Sequence, residues 1–146
     1  TLNAKGDVVA DVVDSDKLQE GARRYTFTGH GRVTITGPAV DLEPKADESL
    51  RVDFRLDRKP ASWVAMKLAD GGKMIDVTKL LASSQEGQWQ SLAIPLSCFK
   101  EVGGDLKHVS TPFAMEAGGP FGISIAGIRL ERQPASLACP SLVATK

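Results

Sequence analysis

The sequence predicts an all-β chain, an antiparallel β-sandwich of the jelly-roll kind with one or two short helical turns. Three observations predict it. Apolar residues alternate with polar ones along much of the chain, the period-two mark of strands with one buried and one wet face. Turn-forming residues interrupt these runs at intervals of about 10 residues. No helical segments alternate with the strands, so parallel βαβ units are not expected.

The alternation is strictest in Leu50-Arg51-Val52-Asp53-Phe54-Arg55-Leu56-Asp57, where every second residue is charged. Trp63 to Leu68 repeats the pattern: Val64, Met66 and Leu68 share the apolar face, while Trp63, Ala65 and Lys67 point the other way. Asp70-Gly71-Gly72-Lys73 then reads as a turn. Leu92, Ile94 and Leu96 alternate in the run from Trp89, and Phe113 and Met115 in the run after Pro112. Ile123 and Ile125, then Ile128 and Leu130, form a late strand whose phase slips at Gly127, the mark of a bulge. Weaker early strands are expected over Val8–Val13, Tyr25–Thr28 and Val33–Thr36, with Gly29-His30-Gly31 as the turn between the last two. Asp76 is placed to cap a short helix through Val77–Ala82 that buries Leu80 and Leu81. A second turn starts at Asp105.

With 146 residues the chain reads as one domain, 1–146, whose last part, 133–146, is an extended C-terminal tail with two prolines. A fold of this size buries roughly 70% of the surface its unfolded chain exposes, enough for a core without metals. Eighteen basic residues balance eighteen acidic ones, so no long-range field draws nucleic acid or anionic membrane. No apolar run approaches the ~18 residues of a membrane span. The chain starts at Thr1, without initiator Met or signal peptide, which reads as a processed chain or an excised fragment. Cys98 and Cys139 are the two cysteines. Neither lies in a zinc-type spacing. Pairing with each other would imply an oxidising compartment, secreted or periplasmic; two buried thiols are the alternative.

Catalytic motifs are scarce. His30 and His108 lack metal-type spacing, and the serines lack a nucleophile elbow. A glycosidase needs two carboxylates, but Asp53 and Asp57 sit on the wet face of a strand among arginines, where cross-strand charge pairing accounts for them. Asp11, Asp14 and Asp16 cluster at the end of an early strand. Such oxygens can hold Ca²⁺ in a β-sandwich, and a solvated turn is the competing reading. No other cofactor is indicated.

Aromatic residues carry more information. Sugar rings present apolar C–H faces that stack on aromatic rings, and their hydroxyls need polar partners. Trp63, with Lys67 and Asp70 near it, meets that demand in phase. It is read as a sugar platform, as an anchor against a neighbouring domain, or as packing on the second face of its sheet. Trp89 is read as core or rim packing.

Trp89-Gln90-Ser91-Leu92-Ala93-Ile94-Pro95-Leu96-Ser97-Cys98-Phe99 resembles a signature of the C-terminal galactose-binding-like domain of bacterial glycoside hydrolase family 3 exo-glucanases and β-glucosidases. Gly104-Asp105-Leu106, Val109, Pro112-Phe113, Gly122-Ile123-Ser124-Ile125 and Ile128-Arg129-Leu130 follow in the order of that domain. Val64 to Leu68 and Asp76-Val77-Thr78 match upstream, so the likeness spans roughly residues 40–132. It implies a non-catalytic jelly-roll domain appended to catalytic domains that cleave β-glucosidic bonds with retention. It also implies a supporting role toward that core and contact with β-glucan oligosaccharides. No catalytic residue carries over, because nothing here matches the nucleophile segment. A stand-alone carbohydrate-binding module and a purely structural or partner-binding sandwich remain as alternatives.

Overall fold

The structure, a computed structural model, describes residues 2–12, 23–45, 47–68, 73–101 and 103–132. In chain order the elements are β1 (Leu2–Val12), β2 (Arg23–Ile35), a 3-10 turn (Glu43–Lys45), β3 (Glu48–Arg58), β4 (Val64–Lys67), β5 (Ile75–Asp76), α1 (Thr78–Ala82), β6 (Trp89–Pro95), α2 (Leu96–Glu101), β7 (Phe113–Ala117) and β8 (Phe121–Arg132). The named strands pair antiparallel throughout, in the order β5-β4-β7-β2-β8-β3-β6, with β1 along β2. The expected 133–146 tail lies outside the described residues.

The sandwich is one curled sheet. β7 and β8 lie end to end along the same edge of β2: Ile35 faces Phe113 and Gly31 faces Ala117, then Phe27 faces Phe121 and Arg23 faces Ile125, in unbroken register. On its far edge β7 pairs with β4, whereas β8 pairs with β3. β2 therefore passes from one layer into the other, as strands do at the corners of orthogonal sandwiches. Val33, Met66 and Met115 of one layer and Leu50, Val52, Phe54 and Ile123 of the other belong to a single buried cluster, so the layers face each other across one core.

The corner explains a difference from the sequence reading. Gly29-His30-Gly31 is not a turn between two strands but the middle of β2, which runs unbroken from Arg23 to Ile35. The small residues serve the close approach of β1: a Cβ at Gly29 would press on Asp7 and one at Gly31 on Val8. β1 bends at the same level, with a register shift between Gly6 and Val8 and Gly6 at φ 84. A positive φ of that size suits glycine.

Side-chain period sets the faces as expected. Leu50, Val52, Phe54 and Leu56 of β3 are buried, as are Leu92 and Ile94 of β6. The slip at Gly127 is a bulge: Asp53 faces Gly127 and Phe54 faces Ile125, leaving Ala126 extra. Helix α1 starts at Thr78 with Val77, not Asp76, in the N-cap position and no side-chain bond from it; Asp76 stands one residue further out, its carboxylate accepting the backbone N–H and the hydroxyl of Thr78. Leu81 is buried there, but Leu80 only partly. The Asp105 side chain accepts the Lys107 N–H, closing the turn expected at that place. α2 departs from the sequence expectation. Alternation predicts a strand through Leu96, whereas Leu96 opens a helix that buries Leu96, Cys98 and Phe99. Positions 96 and 99 share a helix face; a helix of six residues is too short for a period to stand out.

Candidate functional site

Two outward faces follow from the topology. The first lies over β4, β7 and the second half of β2. Trp63 precedes β4 and is half-buried against Ala65, Met74 and Ala114. Its carbonyl accepts the Gly118 N–H at 2.9 Å, and its indole covers the space where a Cβ on Gly118 would stand. Glu116 receives His30 Nε2 on one oxygen and Arg32 on the other, at 2.7 Å from Nη2. Partial burial pushes the Glu116 carboxyl up. The bonds and charges of His30 and Arg32 outweigh this and hold it below its ordinary value. The His30 ring lies 6.0 Å from the Trp63 ring.

Lys67 ends β4 on this face, four residues from Trp63 and so roughly 13 Å away along the strand. Ala65 lies between them and is sealed, at 1% exposure, in the cluster with Met74. Trp63 and Lys67 thus share a face without converging on one point. Asp70 lies outside the described residues.

The second face lies over β6, β3 and β8. Because Leu50, Val52, Phe54 and Leu56 of β3 are buried, Arg51, Asp53, Arg55 and Asp57 point outward. Asp53 collects three donors: Arg51 Nε at 3.0 Å, Ser91 Oγ at 2.6 Å and Arg129 Nη1 at 2.6 Å. Gly127 stands opposite Asp53 in register, and a Cβ there would contact both Asp53 and Arg129. Arg51 also bonds Ser91 at 3.0 Å and both oxygens of Glu131. Partial burial raises the Asp53 carboxyl, but the bonds from Ser91, Arg129 and Arg51 win and hold it below the ordinary carboxylate value. Beside this network Asp57 receives Arg55 at 2.8 Å and Ser124 at 2.5 Å. The cross-strand reading holds for Asp53 through Arg129 of β8; Asp57 pairs instead with Arg55 along its own strand, and its cross-strand charge, Arg24, stands at 3.7 Å.

Trp89 starts β6 directly opposite Arg55, whose guanidinium carbon lies 5.3 Å from the ring centroid. The indole belongs to the rim rather than the core. With Arg51, Asp53, Gln90 and Ser91 it lines an open cleft of about 200 Å³. The sequence reading passes over this site, although the signal is present. Leu92 and Ile94 face inward, so Trp89 and Ser91 must face outward, beside the odd positions of β3. A larger recess of about 310 Å³ lies near the β8 bulge, lined by Tyr25, Ile35, Ile125 and Ile128 with Arg23. Its lining is mainly aliphatic, and Arg23 and the Tyr25 hydroxyl are its polar side-chain groups.

A glycosidic general acid needs a raised carboxyl, and both Asp53 and Glu116 are shifted the other way. Among the described residues no three His, Cys, Asp or Glu side chains are grouped to hold a metal ion. The aspartates considered for Ca²⁺ fall outside this description: Asp14 and Asp16 entirely, Asp11 in its side chain. Cys98 is buried and disulfide-bonded; Cys139 lies outside the described residues. No helix among the described residues is long and apolar enough to cross a membrane.

The same fold occurs in several solved structures. The chain is similar to an exo-1,3/1,4-β-glucanase from a Pseudoalteromonas species, with 18% identity and a TM-score of 0.69 over 92% of its own length. It spans only 17% of that enzyme. It is similar to the extra C-terminal domain of the same enzyme, with 17% identity and a TM-score of 0.66, covering 95% of this chain and 78% of that domain. A family 30 carbohydrate-binding module of a Clostridium thermocellum cellulosomal cellulase matches with 18% identity and a TM-score of 0.64, over 90% of this chain and 86% of the module. No curated protein matches the sequence. A family model described as galactose-binding domain-like matches residues 1–130, and the chain accordingly belongs to the Exop_C family of galactose-binding domain-like proteins.

Proposed function

We propose that the chain is a non-catalytic C-terminal accessory domain of a family 3 glycoside hydrolase, a β-glucosidase or glucan glucohydrolase, which supports the catalytic core and contacts β-glucan. The observation that carries this reading is the match over residues 1–130 to a galactose-binding-like family, in a fold that recurs as the extra C-terminal domain of an exo-glucanase. The polar and aromatic character of the β3–β6–β8 face is what a neutral glycan requires. The partner is then the catalytic region of the parent enzyme, and the disulfide on Cys98 fits a secreted or periplasmic location. The likeness to a carbohydrate-binding module over 86% of that module's length favours the second reading, a self-contained binding module.

Calorimetric titration of the chain with β-1,3- and β-1,4-linked gluco-oligosaccharides tests the glucan part of the proposal. Saturable heat at millimolar ligand or below is the expected result. No heat with either linkage would remove glucan contact and leave a purely structural or partner-binding role.

A further inference from the structure

We infer that the cleft between Trp89 and the Arg51–Asp53–Ser91 network is a subsite for one pyranose ring of an uncharged glucan. This rests on the glucan reading above and says where the sugar sits.

Size is the first argument. Pockets that enclose a whole small ligand run to roughly 300–1,000 Å³, whereas this cleft holds about 200 Å³ and opens to solvent on a sheet face. It suits one ring of a chain whose neighbours lie outside it.

Polar chemistry is the second. A sugar hydroxyl both donates and accepts, so it needs a donor and an acceptor side by side. Arg51 Nη2 gives one of its two N–H groups to Ser91, and Asp53 Oδ2 accepts from Arg129 alone among the bonds of this network, so a second N–H and a second lone pair stand side by side. Both charged groups are already oriented: Arg51 by Asp53, Ser91 and Glu131, and Asp53 by Arg51, Ser91 and Arg129. A ligand therefore meets a rigid template and does not have to order these side chains itself.

The third argument is the aromatic wall. Trp89 is held by Arg55 on its partner strand and lines the cleft. It supplies an apolar surface for the C–H face of the ring, with its N–H as a polar handle.

Charge is the fourth. Arg51, Arg55 and Arg129 stand among Asp53, Asp57 and Glu131 as paired ions. Such a balanced face gives an anionic polysaccharide no net attraction. Neutral glucan is the class it fits, and its binding should respond little to salt.

The test is calorimetric titration of the full chain with the two gluco-oligosaccharide series, with folding of each variant checked by circular dichroism. Trp89→Ala should weaken binding about tenfold or more, as loss of an aromatic anchor does, and Trp89→Phe should keep most of it. Ser91→Tyr keeps Trp89 but fills the cleft, so it should abolish binding even if Trp89→Ala fails to fold. Trp63→Ala should leave the affinity within about twofold, a change under 0.5 kcal/mol. Binding by the native chain that survives both Ser91→Tyr and Trp89→Ala would overturn the subsite and leave the glucan reading standing. Absence of binding by the native chain would overturn both.

Discussion

Asp53 illustrates how one side chain orders a face. Its carboxylate ties together β3, β6 and β8 through Arg51, Ser91 and Arg129. Because its folded value is lowered, these bonds stabilise the fold fully above the ordinary carboxylate range and are lost as pH falls through the lowered value. Glu116 behaves in the same sense. Stability should therefore decline below about pH 4. Asp53→Asn should cost about 1–2 kcal/mol at pH 7 and flatten that acid limb, as urea unfolding at a series of pH values will show. Trp63 belongs to a different problem. Its indole rests on Gly118 and seals Met74, Ala65 and Ala114 at the corner of the sandwich. Trp63→Ala should cost about 2–3 kcal/mol, less than a fully buried tryptophan. Gly118→Ala should also destabilise, because its Cβ would enter the indole. Melting curves of the two single variants and the double variant check this: the double should cost less than the sum, since removing the indole makes room for the methyl.

At the scale of elements, β6 joins core to surface. Its even residues Leu92 and Ile94 fill the interior, while Trp89 and Ser91 face the exposed cleft. Ile94 is fully buried, so Ile94→Ala should cost about 2–5 kcal/mol in urea unfolding. A near-neutral result would mean that the phase of β6, and with it the outward placement of Trp89, is wrong. The corner is a second such junction. The connection from β3 to β4 is pinned to the break between β7 and β8 by the Ala61 N–H to Pro120 and the Gly118 N–H to Trp63. Two crossings between layers thus support each other, where each alone would leave backbone groups exposed.

For the whole molecule, the curled sheet leaves one core covered on both sides and two outer faces of unlike character. One is sealed by Met74 and Trp63. The other is an open lattice of paired charges around a cleft. The bond on Cys98 adds a cross-link to this frame. We propose Cys139 as its partner, because it is the other cysteine of the chain. Closing that loop should stabilise the fold by roughly 3–4 kcal/mol. Mass spectrometry after alkylation without reductant should then find no free thiol, and reductant should lower the melting temperature. An alkylated Cys139 in the unreduced chain would refute the pairing.

The sequence by itself determined which residues point to the core on β3 and β6, because side-chain direction alternates with chain position and needs no tertiary information; on β4, β7 and the first half of β8 both faces are buried, which alternation does not express. Leu50 to Asp57, Val64 and Met66, Leu92 and Ile94, and the bulge at Gly127 were legible for that reason. The charge pairs of Asp53 and Asp57 were legible too, being residues of opposite sign on one wet face. The tertiary structure decided what alternation cannot express. A glycine-flanked histidine reads locally as a turn, yet β1 pressing on Gly29 and Gly31 keeps β2 extended through it. Helix α2 has six residues, and its burial comes from long-range packing and not from a visible period. The cleft beside Trp89 gathers residues 51, 53, 89, 90 and 91, which become neighbours only through the register of β3 against β6, and register is a property of the pair of strands.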